Sequence, residues 1–233
     1  MIYVHIGAGA GDLDAGALFR DGFSEFVKKN NDEDKRIYLV EANPSNISKL
    51  KISWKDYKNA KIFDFAITSS KQDEKRIKFY YSLDDAPHYQ QFSNDIEHVK
   101  KNYKDLKKIK FKYIDCVKIN DFLNKNFKNK VINFFSIDIE GMDYDVIEDI
   151  NLKKFEITNF SFEHLHLNIN QKIKLFRKFL KFGYSYNGSG LDHNDFDWTF
   201  QKKKNIWNNM IFFFLIFISK KYYQILNKLL QKK

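Results

Sequence analysis

The sequence predicts an α/β fold: a Rossmann-like, seven-stranded, mainly parallel sheet with helices on both faces, followed by a C-terminal amphipathic helical tail. Three observations predict it. Short apolar runs alternate with helical patterns, as βαβ units require. Three of those runs stop at a glycine or a carboxylate: Tyr3-Val4-His5-Ile6-Gly7-Ala8-Gly9-Ala10-Gly11, Tyr38-Leu39-Val40-Glu41-Ala42-Asn43-Pro44, and Phe135-Ser136-Ile137-Asp138-Ile139-Glu140-Gly141. Finally, 233 residues with 43% hydrophobic and 17% aromatic content suffice for one domain with a real core and argue against disorder.

Taken in order, Ile2 to Ile6 is the first strand, and Ala15 to Lys29 a helix with Leu18, Phe19, Phe23, Phe26 and Val27 on one face. Arg36 to Val40 is the second strand. Pro44 opens the next helix, since proline is tolerated in a first turn. Lys61 to Phe65 is the third strand and Arg76 to Ser82 an extra one, while the polar stretch from Asp84 to Lys108 reads as a lid. Phe111 to Val117 alternates as a strand, Asn120 to Phe127 is a short helix, and Val131 to Ile137 is a fully apolar strand. A helix from Asp143 to Ile150, a strand from Ile157 to Leu165 and an amphipathic helix from Gln171 to Phe182 follow, ending at Gly183. Tyr184 to Tyr186 and Trp198 to Gln201 close the sheet. The expected division is a domain at 1–203 and an apolar, basic tail at 204–233.

In an open parallel sheet, ligands bind outside the carboxyl ends of the strands. Gly7, Gly9 and Gly11 let the backbone approach a ligand. Glu41 can accept two ribose hydroxyls. Asp64-Phe65-Ala66 offers a carboxylate and an aromatic wall for an adenine ring. The spacing G-x-G-x-G puts Asp12 where a dinucleotide fingerprint has its third glycine, which disfavours a nicotinamide site.

On these residues the chain resembles the S-adenosylmethionine-dependent methyltransferases of the FkbM type. The run Ile137-Asp138-Ile139-Glu140-Gly141, continuing through Met142-Asp143-Tyr144-Asp145-Val146-Ile147, is the most specific part of a resemblance covering about residues 1 to 201. It implies S-adenosyl-L-methionine as cofactor. Gly7, Ala8, Gly9 and Gly11 would line its methionine and ribose portion, and Glu41, with Asn43 beside it, would bind the ribose hydroxyls. Asp64, Phe65 and Ala66 would border adenine, and Asp138 would face the methionine or the acceptor. His5 stands where the family usually carries an acid.

The implied reaction is methyl transfer to a hydroxyl of a small molecule or glycan, a lipid-linked glycan suiting the tail. Candidate catalytic residues are His164 as base, then His166 and Asp138; His164 and His166 share a side if their strand persists. A divalent cation on Asp138, Glu163 and a histidine has no diagnostic spacing, and no metal is assigned. His88 falls in the lid. The competing readings are an NAD-dependent oxidoreductase and a catalytically silent protein bound at a membrane surface.

The net charge of +10 is spread along the chain, so it reads as a solvated surface rather than a nucleic-acid face. Cys116, the only cysteine, excludes an intrachain disulfide and reads as a buried filler. The N-terminus enters a strand directly, with no signal-peptide pattern, so a cytoplasmic location is expected. Met210 to Ile218 is an unbroken apolar run, too short to span a bilayer. Lipid, the domain or a second subunit must cover it.

Overall fold

The computed structural model describes residues 1–13, 22–86, 91–139, 141–191 and 197–216. One sheet has seven strands in the order β3-β2-β1-β7-β8-β10-β9. These are β1 (Ile2–Ile6), β2 (Arg36–Val40), β3 (Ala60–Phe63), β7 (Val131–Ile137), β8 (Glu156–Glu163), β9 (Ser185–Ser189) and β10 (Asp197–Gln201). The first five run parallel, and β10 is antiparallel to both β8 and β9. The order reverses beside β1: β2 lies on one flank and β7 on the other. That switch point opens a crevice above the strand ends.

Strand alternation divides the core. Val4 and Ile6 point into a large cluster with Phe122, Phe127, Val146, Leu175 and Phe179. Tyr3 points the other way, to Phe23, Val27, Leu50 and Trp54. Helices α1 (Gly22–Lys29) and α2 (Pro44–Ser53) cover this second face. The first is covered by α4 (Ile119–Phe127), α5 (Asp143–Asp149), α6 (Ile169–Lys181) and α7 (Ile206–Ile216). Because β7 is central and mostly buried on both faces, it reads as a mainly apolar run, interrupted at Asn133 and Ser136.

Local chemistry sets the helix ends. Asn43 caps α2, its side chain accepting from the Ser45 N–H at 3.0 Å, with Pro44 in the first turn. Asn168 and Gln171 form a reciprocal capping box on α6, which stops before Gly183 at φ 80°.

Several elements differ from the sequence expectation. The first helix is described from Gly22, its expected start at Ala15 lying outside the described residues, as does His88. The third strand stops at Phe63. After Asp64 and Phe65 the chain enters a separate three-stranded sheet, β4 (Ala66–Thr68), β6 (Ile109–Lys118) and β5 (Arg76–Ser82), in the order β4-β6-β5. The stretch expected as a lid carries helix α3 (Ile96–Asn102), with Asp95 as its cap and Val99 and His98 buried. Phe79 stacks on Phe92 at 4.9 Å, giving the small sheet its own core with Ile77 and Ile114.

Candidate active site

The glycine loop is built by close approach. Gly7, Gly9 and Gly11 all have positive φ, at 86°, 56° and 65°. A Cβ on Gly7 would lie 1.6 Å from the Asp138 backbone oxygen, and one on Gly11 would lie 2.5 Å from Ser53 Oγ. Glycine at position 7 therefore lets β1 and β7 leave the sheet touching, a junction also held by the Asp138 N–H donating to the Ile6 oxygen at 2.9 Å.

Glu41 ties this loop to the second strand. Its carboxylate is buried (7% exposed) and accepts the Gly9 N–H at 2.7 Å on Oε2 and the Asn43 N–H at 2.6 Å on Oε1. A carboxylate so placed is a charged acceptor at the end of the second strand. Gly7, Ala8, Gly9, Glu41, Asn43 and Asp138 thus lie together at the carboxyl ends of β1, β2 and β7, and Gly11 packs against Ser53 of α2. Asp64 follows β3 and is exposed. Phe65 packs on Phe63 at 5.6 Å and Phe122 at 6.1 Å. Ala66 is buried in the core of the small sheet. His5 faces the α1 layer, its ring 4.5 Å from that of Phe23.

The two candidate histidines part company because β8 ends at Glu163 and a turn follows. Phe162 lies opposite Trp198 in register, so His164 is the diagonal neighbour of that indole. It stacks on Trp198 at 3.9 Å and is only 1% exposed. His166 is at the rim, where its Nε2 lies 3.1 Å from Glu163 Oε2. The His98 ring of α3 meets it edge-on at 4.8 Å. Since Ile137 pairs with Phe162, Asp138 and Glu163 leave β7 and β8 side by side.

Sequence reasoning missed two contributors. His98 sits in a polar stretch with no periodicity to mark it. Asp143 lies within the most specific run but was given no role there, and its position at a helix start was the available signal. Asp143 is wholly buried and accepts the Ile139 N–H at 3.0 Å and the Gly141 N–H at 3.2 Å, which folds the segment after Asp138. Burial, then the nearby Glu163 charge, pushes its carboxyl up to about 6.

A folded-state value above the unfolded one means that protonated Asp143 favours the fold, and that this contribution fades as pH rises from about 4 to 6. Wild type should therefore lose roughly 1–3 kcal/mol relative to Asp143→Asn over that range. Urea unfolding at intervals between pH 4 and 7 measures the difference, and a pH-independent one counts against this assignment.

A polar recess of about 610 Å³ lies at the opposite, amino end of the strands, lined by Lys28, Asp32, Lys35, Asp56 and Tyr57 among others. It shares no lining residue with the crevice. Among the described residues no group of three or more His, Cys, Asp or Glu is arranged to hold a metal ion.

A family model described as a methyltransferase FkbM domain matches residues 5–186. No curated protein sequence matches the chain. Among solved structures it is similar to a precorrin-6y C5,15-methyltransferase from Geobacter metallireducens, at 12% identity and TM-score 0.42, over 88% of this chain and 80% of that one. A SAM-dependent methyltransferase from Aquifex aeolicus gives 8% identity and TM-score 0.39, over 86% and 80%. Aeropyrum pernix fibrillarin, in complex with natively bound S-adenosyl-L-methionine, gives 11% and 0.38, over 86% and 64%.

Proposed function

The chain belongs to the FkbM methyltransferase family, and on that premise we propose that it transfers the methyl group of S-adenosylmethionine to a hydroxyl oxygen of a carbohydrate or lipid-linked glycan. The observation carrying the reading is Glu41, a buried carboxylate pinned to a left-handed glycine loop at the switch point of the sheet. The cofactor fits these residues: a cradle without Cβ atoms adjoins a carboxylate, the acceptor type that suits two ribose hydroxyls. When bound, S-adenosylmethionine supplies an electrophilic methyl on a positively charged sulfur.

The chain's own residues supply alignment and a proton acceptor. Gly7 and Asp138 bring two strand ends into contact, and Asp143 holds the segment that follows. Rigid positioning of this kind can contribute about 7–11 kcal/mol to a displacement. We assign the base to His166. Glu163 at its Nε2 orients the ring and stabilises the imidazolium that forms. His164 serves as packing beneath Trp198 in this assignment.

Calorimetry on the full chain tests the cofactor. S-adenosylhomocysteine should bind with a dissociation constant in the micromolar range, about −8 kcal/mol, and NAD should give no heat. NAD binding without S-adenosylhomocysteine binding would replace this reading with the oxidoreductase; neither ligand binding would leave the silent, surface-bound protein.

A further inference from the structure

Helix α7 is polarised the wrong way for water. Its polar residues, Asn208 and Asn209, share an inward stripe with the buried Phe212 and Ile216. Asn208 Nδ2 donates to the Tyr186 oxygen at 2.8 Å, and Asn209 Oδ1 accepts the Tyr186 N–H at 3.2 Å, so both amides are spent on the exposed edge of β9. Phe212 packs on Phe176, Trp198 and Phe200. The opposite stripe, reached by steps of three and four, is Trp207, Met210, Ile211 and Phe214, with Ile206 and Phe213 beside it. All six are exposed, Trp207 at 76% and Phe214 at 68%. A soluble helix places these two classes of side chain the other way round.

We propose that this outward face binds lipid and lays the protein on an anionic membrane surface, with α7 in the plane of the headgroups. Charge selects that occupant. From Trp198 to Lys233 the sequence has eight lysines and no Asp or Glu, and Lys202, Lys203 and Lys204 are exposed immediately before the helix. Two copies meeting through this face would bring like charges together, whereas an anionic bilayer complements them. The sequence after Ile216 is also apolar and lysine-bearing, so it extends the same character instead of supplying a polar cover. Eleven helical residues reach only about 16 Å against a hydrocarbon core of about 30 Å. Among the described residues no helix is long and apolar enough to cross a membrane. Lying in the interface suits this face, with tryptophan and phenylalanine below lysine. This inference goes beyond the catalytic reading, and its failure leaves methyl transfer untouched.

Vesicles of phosphatidylcholine with phosphatidylglycerol, against phosphatidylcholine alone, provide the test. The full-length protein should sediment with the anionic vesicles, and less so as salt rises. Trp207 should shift its emission to the blue, while Trp54 and Trp198, already buried, change little. The double variant Trp207→Gln/Phe214→Gln removes only exposed side chains. It should keep the melting temperature and the affinity for S-adenosylhomocysteine but lose vesicle affinity by about a hundredfold. Replacing Lys202, Lys203 and Lys204 with glutamine should flatten the salt dependence. Absence of binding at low salt, or binding unaffected by the double variant, overturns the proposal. A dimer in buffer that the double variant converts to monomer overturns it in favour of a second copy.

Discussion

Glu41→Ala should weaken S-adenosylmethionine by about 2–4 kcal/mol, a loss of roughly thirtyfold to a thousandfold. Two effects add in the same direction. The charged acceptor for the ribose hydroxyls disappears, and the Gly9 and Asn43 N–H groups that it holds lose their partner. Part of the loss should therefore appear without ligand, as a lower melting temperature. Glu41→Gln separates the two: an amide keeps the shape but must turn its NH₂ toward one of the two backbone donors. Calorimetry with S-adenosylhomocysteine reads binding and circular dichroism reads the fold. An unchanged dissociation constant in the alanine variant would remove Glu41 from the site and with it the cofactor assignment.

His166→Ala should cut turnover by about 10²-fold or more while leaving cofactor affinity nearly intact, because a base acts on the acceptor's proton. Glu163→Gln keeps a hydrogen-bond acceptor at His166 Nε2 but removes the charge, so its loss should be smaller. His164→Ala should behave differently. Removing a buried ring stacked at 3.9 Å on Trp198 leaves a cavity, and the cost should appear as about 2–4 kcal/mol of stability, with turnover of the folded protein retained. The reverse pattern, turnover lost at His164 and kept at His166, would return the base to the inner histidine.

The strand ends were legible because buried parallel strands are apolar runs, and they show where they stop. Val131–Ile137 needs no periodicity to be recognised, and glycine or acid after Ile6, Val40 and Ile137 marks the ligand side. Three things were not legible. Ala66–Thr68 is too short to show a period, so nothing in the sequence marks it as a strand or Arg76–Ser82 as part of a separate sheet. Helix α3 buries little beyond Val99 and His98, and its polar sequence resembled a loop. The side shared by His164 and His166 depended on a strand that in fact ends at Glu163, after which neighbouring positions no longer alternate between faces. Tertiary stacking on Trp198 then decided where His164 went.

The three-stranded sheet has a core of its own and is also fastened to the large one. Ala66, Ile77, Phe79, Phe92 and Ile114 pack together, with Ala42 and Met142 against them from the strand-end loops, while Ile67 of β4 and Val117 of β6 pack into the large cluster. Helix α3 leans on β5 and delivers His98 to His166, so this small unit forms a flank of the crevice while the seven-stranded sheet forms its floor. On the methyl-transfer reading, exposed side chains on this flank should govern which acceptor is used more than how tightly the cofactor is held, because the glycine loop and Glu41 belong to the floor.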